Sequence, residues 1–296
     1  MNSDLKQKEQ NAISALRAFE PKDDKGYYLC YSGGKDSDCI RILAALAGVK
    51  HDIVHNLTTV DAPETIYYIR SVPGVIIDRP PKTMWQLIVE KRMPPTRLVR
   101  YCCAELKERG GQGRLKITGI RKAESVSRAK SADLVRVTGK PKTNQRLADE
   151  MGVDYSVTKQ NGLIMNTDNA KTRRLVEHCY RTSAVMVNPI VDWTDSDVWE
   201  FLRYYGCKSN PLYQCGKTRI GCIGCPMAGQ RGQKRDFSLY PKYRLNYVRA
   251  FDRMLKKRIA DGIPAKKWET GEAVMRWWVG DNPNQYTLFD LENTQF

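Results

Sequence analysis

A short loop near the N-terminus has the residue types of a phosphate-binding site. Ser32-Gly33-Gly34-Lys35-Asp36-Ser37 lies between an apolar segment and a segment with helical periodicity. Glycines let the backbone approach a phosphate closely, and a helix start offers N–H groups and a positive dipole end. Hydroxyls and the Lys35 ammonium add donors and charge, while the Asp36 carboxylate suits Mg²⁺ or ordering of the loop. The spacing is not the Walker pattern, whose glycines are further apart. We therefore predict a phosphate site in which Lys35 and Asp36 are catalytic.

Further candidate ligands follow two later strand-like segments. Asp61 and Glu64 carry carboxylates that suit Mg²⁺ or sugar hydroxyls, although Asp61 could equally cap a helix that has Pro63 in its first turn. Arg121 and Arg128 carry guanidinium groups that can fork onto phosphate or sulfate, or they are ordinary surface arginines. The residues that we assign to the binding site beside the loop are Thr59, Asp61, Glu64, Gly119, Arg121 and Arg128.

The cysteines are clustered rather than spread along the chain. Nine is an odd number, which argues against a fully paired disulfide framework. Cys222-Ile223-Gly224-Cys225 has a spacing at which two thiolates can hold one metal ion or cluster, and Cys102-Cys103 supplies a second pair. Four thiolates also suit zinc. Adjacent residues of a regular strand cannot both face one site, so the tandem pair needs a helical turn or a kink. Cys215 is therefore an alternative ligand.

The remaining cysteines are expected to be packing residues, because free cysteine is often buried. They are Cys30, Cys39, Cys179 and Cys207.

Alternating strands and helices must position these side chains. The apolar segments predict strands at residues 27–31, 52–57, 74–77, 115–118 and 184–187. Helical periodicity predicts helices at residues 5–19, 37–46, 63–70 and 83–92, and a further helix that begins with Thr194 as its cap and ends at Gly206. This alternation predicts an α/β fold with a mostly parallel sheet covered on both faces.

Composition limits the class of protein. The chain has 296 residues, 41% of them hydrophobic, which excludes global disorder. No apolar run is long enough to span a bilayer, and the N-terminus has no signal-peptide pattern, so a cytoplasmic protein without a membrane partner is expected. The net charge of +16 favours a polyanionic partner such as nucleic acid, or it only aids solubility. The aromatic and basic residues near the C-terminus suit stacking and phosphate contacts, or the tryptophans form a core; they are Trp268, Arg276, Trp277 and Trp278.

The motifs resemble those of a known family. Ser-Gly-Gly-Lys-Asp-Ser looks like the PP-loop of the ATP pyrophosphatase superfamily, and the chain is most similar to the phosphoadenosine phosphosulfate (PAPS) reductase family. The resemblance covers roughly residues 25–230, including the stretches at 58–64, 100–103, 119–125, 189–194 and 210–213. It implies a Rossmann-like, doubly wound sheet of the adenine nucleotide alpha-hydrolase type, with an adenine nucleotide at the carboxyl ends of the strands.

The resemblance also implies a role for the cysteines. A tandem pair followed by a C-x-x-C turn looks like the [4Fe–4S] pattern of the adenylyl sulfate reductases, with Cys102, Cys103, Cys222 and Cys225 as ligands. Those reductases use a further cysteine in a C-terminal Glu-Cys-Gly-Leu-His motif, and this sequence has no cysteine after Cys225. We therefore expect sulfur-transfer chemistry more than sulfonucleotide reduction.

The resulting interpretation is a PP-loop enzyme of sulfur metabolism, a sulfurtransferase-like protein. It would cleave ATP to AMP and pyrophosphate with Mg²⁺, activate an acceptor in tRNA or DNA, and use a [4Fe–4S] cluster with a cysteine desulfurase or another sulfur donor. The alternatives are a PAPS or adenylyl sulfate reductase that releases sulfite, and a non-enzymatic nucleic-acid-binding protein with a structural cluster. The predicted division is an N-terminal helix at 1–25, a nucleotide-binding domain at 26–206, and a cysteine-rich loop with a basic helical region at 207–296.

Overall fold

The computed structural model describes residues 1–264 and 268–281, in which the chain forms two compact units. The first unit comprises Met1–Asn56, Pro63–Asp78 and Arg109–Ile220, and the second comprises Leu57–Ala62, Arg79–Glu108 and the chain from Gly221 onward. The units therefore interleave in sequence, whereas the predicted division follows chain order. The predicted boundaries at residues 25 and 206 stay a prediction.

The first unit is built on an eight-stranded sheet. Its strands are β1 (Tyr27–Cys30), β2 (His51–Asn56), β3 (Val75–Asp78), β4 (Lys116–Ile117), β5 (Val135–Thr138), β6 (Ser156–Val157), β7 (Leu163–Met165) and β8 (Ala184–Val187). The order across the sheet is β3-β2-β1-β4-β8-β5-β7-β6. The neighbours from β3 to β8 pair in parallel, and β5, β6 and β7 pair antiparallel at one side. The mostly parallel α/β fold is confirmed.

Helices flank this sheet. They are α1 (Ser3–Ala18), α2 (Lys35–Ala47), α3 (Pro63–Ser71), α5 (Val126–Ala129), α6 (Pro141–Glu150), α7 (Ala170–Cys179) and α8 (Asp195–Tyr204), with α4 belonging to the second unit. Each predicted helix of this unit is present with ends shifted by a few residues. Thr194 accepts a hydrogen bond from the backbone N–H of Asp197 at 3.1 Å, so the predicted cap of α8 is confirmed. Leucine, isoleucine and valine side chains from the helices and strands form one continuous core.

The second unit is helical. Its elements are α4 (Met84–Lys91), a π-helical turn at Cys103–Lys107, α9 (Gly229–Leu239), α10 (Pro241–Ala260) and α11 (Gly271–Val279). Its core is aromatic: the rings of Phe237, Phe251 and Trp278 surround Tyr247, with centroids 4.9–6.0 Å from that ring. Trp85 of α4 meets Tyr247 edge-on at 4.8 Å.

Among the described residues, no helix combines the length and the apolar character needed to cross a membrane.

Candidate functional site

The phosphate-loop sequence forms a tight turn between β1 and α2. Gly33 has φ +69°, and a Cβ atom on it would lie 2.8 Å from the Ile69 side chain, so only glycine fits. The Ser37 hydroxyl accepts from the Gly34 N–H at 3.0 Å and donates to the Gly34 carbonyl at 2.7 Å. Because α2 starts at Lys35, the turn presents the amino end of a helix at the carboxyl end of a parallel strand.

A later segment of the first unit holds this turn in place. The buried Asn210 amide donates to the Gly33 carbonyl and to the Thr65 hydroxyl, both at 3.1 Å. The Tyr213 hydroxyl accepts from the Lys35 backbone N–H at 2.9 Å, and burial raises the pKa of that phenol. The turn is therefore shaped by side chains far away in sequence as well as by its own glycines.

Four charged side chains form a neutral network beside the turn. The Lys35 ammonium lies 3.1 Å from the Asp36 carboxylate and 3.0 Å from Asp195. The Arg121 guanidinium is 1% exposed and donates to Asp36 at 2.7 Å, to Asp195 at 2.8 Å and to the Trp193 carbonyl at 3.1 Å. The hydrogen bond from Lys35 is the main cause of the lowered pKa of Asp195; burial opposes it, and the hydrogen bond from Arg121 lowers the pKa further. Two cations and two carboxylates thus share one site.

The loop after β4 approaches the phosphate loop closely. A Cβ atom on Gly119 would lie 2.9 Å from the Asp36 carbonyl oxygen, so glycine permits backbone-to-backbone contact. From β1 the chain proceeds to β2 and β3 on one side, while β4 and β8 lie on the other. The two loops therefore meet at the switch point of the sheet, where open α/β folds bind their ligands.

The other predicted binding residues belong to other segments of the chain. Thr59 and Asp61 belong to the second unit, where the Thr59 hydroxyl accepts from the Met84 N–H at 2.9 Å and the Asp61 carboxylate accepts from the Thr58 N–H at 2.7 Å. Glu64 is half-buried in the first turn of α3, and Arg128 is half-buried in the short helix α5. Their roles as ligands stay predictions.

The tandem cysteines lie where a helical turn widens. Cys102 has helical backbone angles, and Cys103 begins the π-helical turn, in which the Glu108 N–H donates to the Cys103 carbonyl at 2.8 Å. Turns of this kind are rare and frequently occur at functional sites. This is the helical geometry that two adjacent ligands require. The Arg100 guanidinium contacts the Cys103 sulfur at 3.3 Å, and hydrogen bonds from Cys102 and Arg100 lower the pKa of Cys103 to about 6.

The Cys222–Cys225 turn is anchored through its backbone. Gly224 has φ +71°, its N–H donates to the buried Asp236 carboxylate at 3.2 Å, and its carbonyl accepts from the Gln233 amide at 3.1 Å. The Ile223 N–H donates to the Val60 carbonyl at 2.8 Å. These bonds use main-chain atoms, whereas the Cys222 thiol itself donates to the Thr58 hydroxyl at 3.4 Å.

The thiols of the second unit influence one another. Burial raises the pKa of Tyr247, and the charge that Cys222, Cys102 and Cys225 would carry when ionised raises it further. Burial also raises the pKa of Cys222 to about 12. The Tyr247 hydroxyl donates to the Ile223 carbonyl at 3.1 Å, so this core residue contacts the backbone of the cysteine turn. Within residues 1–264 and 268–281, no three histidine, cysteine, aspartate or glutamate side chains are arranged so that they could hold one metal ion. Cys215 is exposed and belongs to the first unit.

The cysteines predicted to be packing residues include two that are fully enclosed. Cys39 and Cys179 lie in the hydrophobic core of the first unit, which confirms that prediction for both. Cys207 is half-buried against the same core, and Cys30 is half-buried at the end of β1.

The model of the phosphoadenosine phosphosulfate reductase domain matches residues 26–228 of this chain. The chain belongs to that family. The matched region of this PAPS reductase-family protein contains the phosphate loop, the charged network and both cysteine pairs. The predicted family is thereby confirmed.

Relatives of this family member are only moderately similar. An uncharacterised protein of Methanocaldococcus jannaschii is 24% identical over 248 residues, which are 79% of this chain and 50% of that protein. A second from the same organism is 27% identical, over 77% of this chain and 42% of its own length. The chain thus spans half or less of these relatives. The adenosine 5′-phosphosulfate reductase of Burkholderia cepacia is 41% identical, but over 46 residues, which are 16% of this chain and 18% of that enzyme.

Solved structures show a distant likeness. The PAPS reductase of Candida auris in a phosphate complex has a TM-score of 0.42 and 13% identity over 75% of this chain and 96% of that one. The FMN adenylyltransferase of Candida glabrata has a TM-score of 0.42 and 13% identity over 76% of this chain and 65% of that one. The family assignment rests on the domain model alone.

The sequence did not predict a role in this PAPS reductase-family site for three residues that contribute to it. Asn210 and Tyr213 support the phosphate loop, and Asp195 completes the charged network. Asp195 resembled an ordinary acidic residue at a helix start. Its signal was its place after the last parallel strand, because the carboxyl ends of parallel strands share one edge of the sheet.

Proposed function

We propose that this protein binds ATP at the phosphate loop and cleaves it between the α and β phosphates, which activates an acceptor as an adenylate. The observation that carries the proposal is the meeting of the Gly33–Gly34 turn and the Gly119 loop at the switch point between β1 and β4. Family membership supports an adenine nucleotide as the ligand.

The charged network suits the leaving pyrophosphate. Lys35 and Arg121 are bound to carboxylates in the structure, so a polyphosphate would compete for two cations that are already in place. Asp36 and Asp195 would then be free to hold Mg²⁺, which in proteins is bound by one or two carboxylates together with substrate phosphates. In the reaction an acceptor atom attacks the α phosphorus and pyrophosphate leaves with the electron pair of the broken P–O bond. Lys35 and Arg121 stabilise the charge that develops on it.

The donor set of the second unit fits an iron–sulfur cluster. Four thiols lie on two short segments of this unit, one of them a π-helical turn and the other a turn fixed through its backbone. Cys102, Cys103, Cys222 and Cys225 would hold a [4Fe–4S] cluster, the usual complement being four cysteines. A cluster of this kind supplies electrons or a binding place for sulfur. Zinc is the alternative occupant of the same donors.

The ATP site is tested with purified protein by calorimetry and by a pyrophosphate-release assay. Lys35→Ala should weaken ATP binding about 10- to 100-fold, since it removes one charge-assisted hydrogen bond. Lys142→Ala, which removes an exposed lysine of α6, is the matched control and should leave ATP binding unchanged. Equal ATP affinity in the two variants would refute the site.

The cluster is tested by iron and sulfide analysis of anaerobically purified protein. About four iron atoms per chain are expected, and Cys222→Ser and Cys225→Ser should each lose most of them. Cys207→Ser, a half-buried cysteine of the first unit, is the control. Cys102→Ser, Cys103→Ser and Cys215→Ser then decide which thiols complete the site. Stoichiometric zinc without iron would contradict the cluster.

Sulfonucleotide reduction is the second candidate. The similarity to proteins named adenosine 5′-phosphosulfate reductase favours it. Sulfite release from a labelled sulfonucleotide, without pyrophosphate release from ATP, would select this function over the first.

A further inference from the structure

The second unit contains a cavity that the catalytic proposal does not use. Its volume is about 430 Å³. The side chains that determine its chemistry are Arg97, Pro226, Gln230, Gln233, Trp277 and Trp278. This volume is within the range of small-ligand sites, and the lining combines indole rings with a few polar groups, as such sites do.

The lining suits a flat, unsaturated ligand with polar edges. Trp277 lines the cavity and is half-buried, and its indole lies 4.9 Å from that of Trp268. Trp278 is buried in the aromatic core and donates its indole N–H to the Pro95 carbonyl at 2.6 Å, which fixes this wall. Gln230 offers an exposed amide and Arg97 an exposed guanidinium. Aromatic rings with amide and guanidinium groups stack on nucleobases and bind their edges.

The cavity also adjoins the cysteine turn. Pro226, which directly follows Cys225, is part of its wall. Gln233 lines the cavity and donates to the Gly224 carbonyl at 3.1 Å, inside the turn. A ligand in the cavity is therefore held beside the backbone that carries two of the thiols.

The same unit has a basic face on α10. Lys242, Arg249, Arg253 and Lys256 of α10 are exposed and recur at spacings of seven, four and three residues, which places them along one side of a helix. This side is opposite the buried face that contains Tyr247, Phe251 and Met254. None of the ion pairs found among residues 1–264 and 268–281 involves these four side chains. The row extends over about 21 Å of helix, a length that suits several phosphates of a polyanion.

We propose that the cavity binds one unpaired nucleobase of a single-stranded nucleic acid whose phosphates bind the basic face of α10. The inference rests on the proposed function in one respect only, namely that the bound base is the acceptor beside the cysteine turn. Its binding step requires neither ATP nor a cluster, and it is measured separately.

The base-binding step is tested with the full chain and a short labelled oligouridylate or oligothymidylate, by fluorescence anisotropy without ATP. Trp277→Ala should weaken binding about tenfold, because one stacking partner of a base is lost. Trp277→Phe keeps a ring and should retain most of the affinity. Tyr204→Ala, which removes an exposed aromatic of the first unit, is the control and should have no effect. An abasic oligonucleotide should bind the parent and Trp277→Ala equally.

The phosphate step is tested by the salt dependence of the same titration. Arg249→Gln with Arg253→Gln should reduce the slope of log affinity against log salt by about 1.4, at ~0.7 per phosphate of a single strand. Lys142→Gln with Arg174→Gln removes the same charge from exposed positions of the first unit and should leave the slope unchanged. If both double substitutions change the slope equally, binding depends only on the net charge of the protein, and the proposal is overturned.

The remaining outcomes separate this inference from the proposed function. If a duplex binds as tightly as a single strand, or if Trp277→Ala leaves the oligonucleotide affinity unchanged, the cavity does not bind an unpaired base. This conclusion holds whether or not ATP is cleaved. Oligonucleotide binding that depends on Trp277, with no pyrophosphate released from ATP, supports the cavity and refutes the adenylation reaction instead. Lys35→Ala should weaken ATP binding while it keeps oligonucleotide affinity.

Discussion

Replacement of Gly224 by alanine tests whether close packing shapes the Cys222–Cys225 turn. A Cβ atom at this position would lie 2.4 Å from Cζ of Phe237, which is itself buried, and the backbone has φ +71°. The left-handed backbone costs about 1–2 kcal/mol for a residue with a Cβ atom, and the overlap in a packed core costs about 1–3 kcal/mol more. Gly224→Ala should therefore lower the free energy of unfolding by about 2–5 kcal/mol.

Gly262→Ala is the matched control. It has φ +68° in the same unit, and a Cβ atom there would meet no atom within 4 Å. It should show the backbone cost alone, about 1–2 kcal/mol. Urea unfolding followed by tryptophan fluorescence measures both, since Trp85 and Trp278 lie in the core of this unit. In a Phe237→Leu background, the excess cost of Gly224→Ala should largely disappear. Equal destabilisation by Gly224→Ala and Gly262→Ala would refute the packing argument.

Further expected outcomes follow from the first unit. Gly119→Ala should weaken ATP binding about tenfold in calorimetry, because its Cβ atom would collide with the Asp36 backbone and displace the phosphate loop. Gly221→Ala places a Cβ atom that meets no atom within 4 Å, and it should leave ATP binding unchanged. Burial raises the pKa of Asp38 to about 6 despite hydrogen bonds from two tyrosines. The folded state then holds a proton that the unfolded state releases between about pH 4 and pH 6, so stability falls as pH rises through this range, by up to about 3 kcal/mol at 1.36 kcal/mol per pKa unit. Asp38→Asn should lack this fall in urea titrations at several pH values, and a parallel pH profile would contradict the assignment. Thr194→Ala should destabilise the protein by about 1 kcal/mol through loss of the α8 cap, and an unchanged melting curve would show that the cap is unimportant.

The parallel strands of the sheet could be predicted from the sequence. Continuous apolar segments bounded by glycine and polar turns are typical of strands buried on both faces, and all five of those predicted are present with small shifts at their ends. The antiparallel strands β5, β6 and β7 were not predicted. β6 has two residues, both exposed, and β7 has three, so neither offers the run of apolar positions that a pattern needs. Helices α6 and α7 were missed with them, although α6 has proline in its first turn.

The site was predictable where its residues are local and unpredictable where the sheet order brings them together. The phosphate loop is a contiguous motif, and its turn and helix start are as expected. The partnership of Arg121 with Asp36 and Asp195 depends on β4 lying beside β1 and β8, which no local pattern encodes. A helical turn was one of the two geometries expected if Cys102 and Cys103 are both ligands, but the wider π geometry has no recognisable sequence signal. The interleaving of the two units also depends on contacts distant in sequence.

The interleaved chain order has a consequence for how the protein is made. The segment Arg79–Glu108 reaches the ribosome exit long before the chain from Gly221 onward, with which it forms the second unit. Roughly 120 residues separate the tandem cysteines from the C-x-x-C turn, and at about 5–20 residues per second their synthesis takes roughly 6 to 24 s. During that interval the segment with Cys102 and Cys103 lacks the aromatic core around Tyr247. The first cysteine pair is therefore part of an incomplete unit in the nascent chain until the chain from Gly221 onward has been made.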